Sequence, residues 1–200
     1  SAAVRVRRPR ARSMDGMAPV VHGFDWPDRF VVGTIGGPGE RTFYLQARAG
    51  REIVSVALEK QQSAQLAAGI DHILDELRAQ DGNPYHVPAD MPDELRDDAP
   101  LDDPVMEQFR VGTMTLGWDP STSQIVIEAL PISTVDDEDE PGEEPEPDEL
   151  LVVRIPVGSA RAFALRTREV VAAGRPLCPL CGSPMSPDRP HECRLPDDLP

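Results

Sequence analysis

The chain has 200 residues, a formal net charge of −15, 40% hydrophobic residues and 22 prolines. That length suits one domain of average size with tails, and no apolar run approaches the roughly 20 residues that a membrane-spanning helix needs. Residues 136–149 carry ten acidic side chains and no basic one, residues 90–103 carry seven against a single arginine, and the remainder sums to +1. The acidity therefore belongs to two segments, and the near-neutral remainder opposes a nucleic-acid-binding surface.

Residues 1–16 contain Arg5, Arg7, Arg8, Arg10 and Arg12 without hydrophobic periodicity. They read as a disordered basic arm: an extension upstream of Met14 or Met17, or a contact to nucleic acid. Patterning begins at Val20. A short strand, Val20-Val-His-Gly-Phe24, leads to a turn at Trp26-Pro27-Asp28, with the indole folded back onto the sheet. The alternative there is an exposed recognition corner formed by Asp25, Asp28 and Arg29 around Trp26. Three β-rich runs follow, Phe30–Ile35, Arg41–Gln46 and Glu52–Leu58, separated by Gly36-Gly-Pro-Gly39 and Ala49-Gly50. Such breaks suit antiparallel hairpins. The glycine-rich break leads to a strand and not to a helix N-terminus, so it reads as a hairpin turn, not as an anion cradle.

Leu66, Ile70, Ile73, Leu74 and Leu77 recur at helical spacing, which predicts an amphipathic helix from about Glu59 to Gln80, closed by Asp81-Gly82-Asn83-Pro84. The acidic block at 90–103 reads as a solvated, disordered loop. The second half repeats the plan: strands over Gln108–Gly117, Gln124–Leu130 and Glu149–Ile155, the acidic loop 136–149 before the last, then a helix from Pro156 to Ala173. Its inward positions are Ala160, Phe163, Ala164, Val170 and Val171, with Pro156 where a helix start tolerates proline. Phe30-Val-Val-Gly-Thr aligns with Phe109-Arg-Val-Gly-Thr in the same relative place. The expected fold is α+β: two β-β-β-α units forming one antiparallel sheet or two stacked half-sheets, with both helices on one face.

The C-terminal segment carries the clearest chemistry. Cys178-Pro-Leu-Cys181 and His191-Glu-Cys193 hold all three cysteines and one of four histidines. Two thiolates on a tight turn, closed by a returning His/Cys pair, supply the four soft ligands of a tetrahedral Zn²⁺ site. Gly182 permits the tight backbone of a knuckle, and four protein ligands leave no open position for water, so the zinc is expected to be structural. The segment has few large apolar residues, and the metal supplies its folding energy, on the order of 10 kcal/mol. An odd thiol count argues against a disulfide framework and for a reducing cytosol.

Outside that segment the candidates are weaker. Glu59 and Lys60 (the only lysine) open the first helix, and with Arg41 and Gln46 they can line a polar pocket; a polar helix face explains them equally. His22, His72 and His86 have no partners at ligand spacing, and no nucleophile elbow, phosphate loop, zincin helix or dinucleotide fingerprint occurs.

The run Phe24–Ala47 with Val56-Ala-Leu-Glu-Lys-Gln-Gln62 and Arg175-Pro-Leu-Cys-Pro-Leu-Cys-Gly182 resembles an uncharacterised family of actinobacterial proteins, domain of unknown function 3090. The resemblance covers about Val20 to Arg194 and implies a start just before the Val20 strand. It also implies a terminal Cys-x-x-Cys…His-x-Cys segment onto which Cys178, Cys181, His191 and Cys193 map. This chain has Pro187-Asp-Arg-Pro-His191 where an acidic-Gly-His turn is usual. The family implies no reaction. The expectation is a cytoplasmic adaptor or regulatory module that binds another protein, with an enzyme or enzyme subunit using the Lys60 pocket, or a zinc-knuckle nucleic-acid binder, as the alternatives.

Overall fold

The structure is a computed structural model of the full chain, described here for residues 18–37, 40–132 and 147–173. The elements in chain order are β1 (Val20–Asp25), β2 (Arg29–Ile35), β3 (Thr42–Ala49), β4 (Glu52–Leu58), α1 (Lys60–Arg78), β5 (Glu107–Asp119), β6 (Gln124–Pro131), β7 (Glu149–Pro156) and α2 (Val157–Ala172). The fold is α+β, with seven strands in the order β1-β7-β6-β5-β4-β3-β2.

The sheet is mixed, which corrects the expected antiparallel one. β2-β3-β4 and β5-β6-β7 are antiparallel meanders, but β4 pairs with β5 in parallel and β1 pairs with β7 in parallel. The two β-β-β-α units thus join head to tail. The physical reason lies in the connection: α1 and the segment after it carry the chain back, so that β5 enters alongside β4 in the same direction, and parallel neighbours require such a crossover. β4 shows what that position demands. Val54, Ser55, Val56, Ala57 and Leu58 are all buried, so the strand is covered on both faces. β5 is shared: its first residues pair with β4 and the rest with β6.

The sheet is also curled. β1 and β2 occupy opposite edges yet are joined by three residues. Four Cα steps reach at most ~15 Å, whereas the edges of a flat seven-stranded sheet lie about 29 Å apart. The sheet therefore bends across its width as well as twisting, and β1 comes into contact with β3. α2 sits in the resulting seam, touching β2 as well as β6 and β7, and packs along α1. Leu66, Ile70, Leu74 and Leu77 of α1 and Ala160, Phe163 and Ala164 of α2 meet Val32, Leu45, Val56, Ile127 and Val153 of the sheet in one core. Ile73, Val170 and Val171 are only partly buried against it. Because α2 is enclosed on several sides, it also buries Arg161 and Thr167, which the apolar pattern does not reveal. Among the described residues no helix is long and apolar enough to cross a membrane.

Candidate functional site

Residues 92–104 follow α1 and form a strap. A 3-10 turn, Asp93–Leu95, contacts α2. The chain then passes the outer edge of β2 and reaches the sheet face away from the helices. There Leu101 fills the space left by the missing side chain of Gly33; a Cβ at that position would lie 2.6 Å from its Cγ. Gln46, only 1% exposed, pairs with the strap backbone like a strand partner: its Nε2 donates to the Asp102 carbonyl at 3.0 Å and its Oε1 accepts from the Asp102 N–H at 2.8 Å. The segment expected to be solvated and disordered is therefore bonded to the domain, because its acids face arginines from three elements.

Arg29 of β2 donates from Nε and Nη2 to both oxygens of Asp97, at 2.6 and 2.9 Å, and from Nη1 to Asp102 at 3.0 Å. Arg48 of β3 reaches Asp102 at 3.2 Å. Arg166 of α2 donates to the Asp97 carboxylate and carbonyl, to the Ala99 carbonyl, and to the free-edge carbonyl of Val32. Bidentate guanidinium–carboxylate pairs of this kind are the strong form of the interaction. The hydrogen bonds from Arg29 hold the Asp97 carboxyl below the usual carboxylate range, with burial opposing. The same bonds raise Arg29, whereas burial lowers Arg166. The clamp also covers the edge of β2, an edge that would otherwise invite pairing with another chain.

Beside the clamp lies a cleft of about 180 Å³. Its floor is the stacked pair Phe30 and Phe163, 4.5 Å apart and 12° from parallel, with Ile155 and Ala162; Leu95 and Asp97 of the strap form one wall, and the other is the β1–β2 turn. In that turn Trp26 has φ 55° and is 62% exposed, so the indole is not folded back onto the sheet. A bulky residue in the left-handed region costs roughly 1–2 kcal/mol, and the surroundings hold it there. The Trp26 N–H donates to the Arg154 carbonyl at 3.1 Å. Asp25 accepts from the buried Gln124 at 2.8 Å, and Asp28 accepts from the Gly50 N–H at 2.6 Å. Sequence reasoning named this corner as an alternative only; exposure of an aromatic ring is set by where the turn points, which periodicity does not encode.

The other predicted site residues lie apart. Gln46 is under the strap. Arg41 donates to the Ala173 carbonyl at 3.0 Å, and Glu59 caps α1 reciprocally with Gln62 while accepting from Arg110 at 3.3 Å. Lys60 is exposed at the first turn of α1. These four share no hydrogen bond with one another among the described residues. His22 has a partner that spacing did not indicate: its ring lies 2.9 Å from Glu149 of β7, which also accepts from Gln108 at 2.8 Å. His72 is exposed beside Glu76. Cys178, Cys181, His191 and Cys193 lie outside the described residues, as do residues 136–146 of the second acidic loop and the basic arm. No group of three or more His, Cys, Asp or Glu side chains is arranged to hold a metal among the described residues.

Residues 22–193 match the family described as Protein of unknown function (DUF3090). The chain belongs to that family. The span over which this family member matches runs from His22 to Cys193, so it takes in the Trp26 corner, the strap and the four Cys/His residues together. No curated protein and no solved structure matches it.

Proposed function

We propose that this protein is a zinc-binding adaptor or regulatory module that acts by binding another protein, in the cytoplasm. The observation that carries the reading is the size and rim of the Trp26 cleft. At about 180 Å³ it is below the roughly 300–1,000 Å³ typical of sites for drug-sized small molecules. It resembles instead the ~150 Å³ cavity that takes a benzene ring, and so suits one aromatic or aliphatic side chain. An exposed tryptophan, its backbone held by the turn, at the edge of an apolar slot is the composition of a protein-binding hot spot. A larger groove, 670 Å³, runs between α1 and α2, but its walls are mostly charged, and Arg161 and Arg168 are paired with Asp71 and Asp75.

The zinc belongs to the same proposal. Cys178, Cys181, His191 and Cys193 have the number and softness of a closed tetrahedral set, which supports a structural Zn²⁺, and this knuckle and the acidic 136–149 loop are proposed as further contact surfaces. The enzyme reading through Arg41, Gln46, Glu59 and Lys60 draws no support from their separate bonding. The nucleic-acid reading rests on the arginine arm and the knuckle alone. Affinity purification from the native host tests the proposal. Wild-type protein should retain a stable partner that Trp26→Ala loses, and metal analysis should find one zinc per chain. Purification of a lone chain with no partner in either form, or a partner that Trp26→Ala retains fully, would count against the cleft.

A further inference from the structure

We propose that the Trp26 cleft takes a basic segment of a partner protein: an aromatic or aliphatic anchor in the slot, with a neighbouring arginine or lysine against the indole and its two flanking carboxylates. The inference rests on the cleft being a protein-binding site and adds the chemistry of what enters it. The argument is charge complementarity around an exposed aromatic ring. Asp25 and Asp28 flank Trp26 in the chain, and each is held by a neutral donor, Gln124 and the Gly50 N–H. Both residues are exposed, Asp28 lines the cleft, and neither forms an ion pair with a described residue.

Across the cleft, Asp93 and Glu94 precede the wall residue Leu95 in an exposed 3-10 turn, and they too form no ion pair among the described residues. The two arginines that line the cleft are committed to the clamp, and Arg51, next to Gly50, is a described cation outside it. Arg29 and Arg166 line the cleft, but their donors go to Asp97, Asp102 and the Val32 and Ala99 carbonyls. The rim therefore presents net negative charge around a 62% exposed indole. An indole face attracts a guanidinium or ammonium group, and carboxylates beside it select against an acidic ligand.

The test uses the 200-residue chain with Trp118→Phe, so that Trp26 is the only indole of the original two. Three labelled decapeptides are titrated: phenylalanine alternating with arginine, the same with glutamine for arginine, and the same with glutamate. The expected result is Trp26 quenching by the arginine peptide, at least tenfold weaker binding of the glutamine peptide, and none by the glutamate peptide. Affinity for the arginine peptide should fall at least tenfold in Asp25→Asn/Asp28→Asn and on raising salt from 50 to 500 mM. Equal binding of the arginine and glutamine peptides overturns the charge inference and leaves the apolar slot standing. Failure of all three removes both, unless changing Arg5, Arg7, Arg8, Arg10 and Arg12 to alanine restores binding. That last outcome makes the chain's own arm the occupant and overturns the assignment to a partner.

Discussion

Replacing Asp97 by asparagine probes the clamp that holds the strap. Arg29 and Arg166 are 10% and 12% exposed at the side chain, and both rely on the Asp97 carboxylate, itself 29% exposed. Removing one partner of a buried ion pair costs about 3–5 kcal/mol because a charge is left behind in a poorly solvated place. Water reaches Asp97 from one side, and screening reduces the expected loss to about 2–3 kcal/mol at pH 7. For a domain of this size that corresponds to a melting temperature lower by roughly 4–12 °C. The sign of the pH dependence follows from the direction of the carboxyl shift. Asp97 is held below its usual value when folded, so its stabilisation is present above about pH 4 and disappears as the pH falls through the folded-state value. The gap between wild type and Asp97→Asn should therefore close in acid. Urea melts from pH 7 to pH 3 measure the gap, and hydrogen exchange at Ala99, Leu101 and Asp102 locates it. A variant within about 0.5 kcal/mol of wild type at pH 7, with unchanged strap exchange, would refute the clamp.

Gly33→Val should displace Leu101 and cost about 1–3 kcal/mol by overpacking, and Leu101→Ala in the same chain should recover part of the loss in a double-mutant cycle. Trp26→Gly should melt at or slightly above the wild-type temperature, because glycine adopts φ 55° without the steric penalty, while binding through the cleft is lost; a marked fall in stability would mean that the indole is a packing residue. Leu74→Ala, at a fully buried position of α1, should cost about 2–5 kcal/mol in chemical denaturation. Cys181→Ser should lower the zinc content by elemental analysis from one per chain toward none, and a wild-type protein without zinc would remove the metal proposal.

Local structure was legible in the residues. β-rich runs between glycine-rich and turn-forming breaks located the seven strands of the described residues to within a few positions, helical spacing located α1 and α2, and the aligned Phe-x-Val-Gly-Thr segments marked the two β-β-β-α units. β4 is legible as a buried strand too, since Ile53-Val-Ser-Val-Ala-Leu58 lacks polar alternation, as befits a strand covered on both faces. The sequence groups Gln46 with Arg41, Glu59 and Lys60 as a polar pocket, whereas in the fold it lies under the strap. It is buried because the strap offers it an amide partner from 56 residues away.

The sequence by itself determined where the chain is extended, where it is helical and which four residues have the spacing of metal ligands, because each of these depends on neighbours within a few positions. Tertiary structure alone decided the parallel contacts of β4 with β5 and β1 with β7, the curl that brings β1 and β2 together, the docking of an acidic segment onto three arginines and the exposure of Trp26. Those outcomes are pairings between residues far apart in the chain. Their energies depend on which charges and surfaces meet in space, and no periodicity along the chain records that.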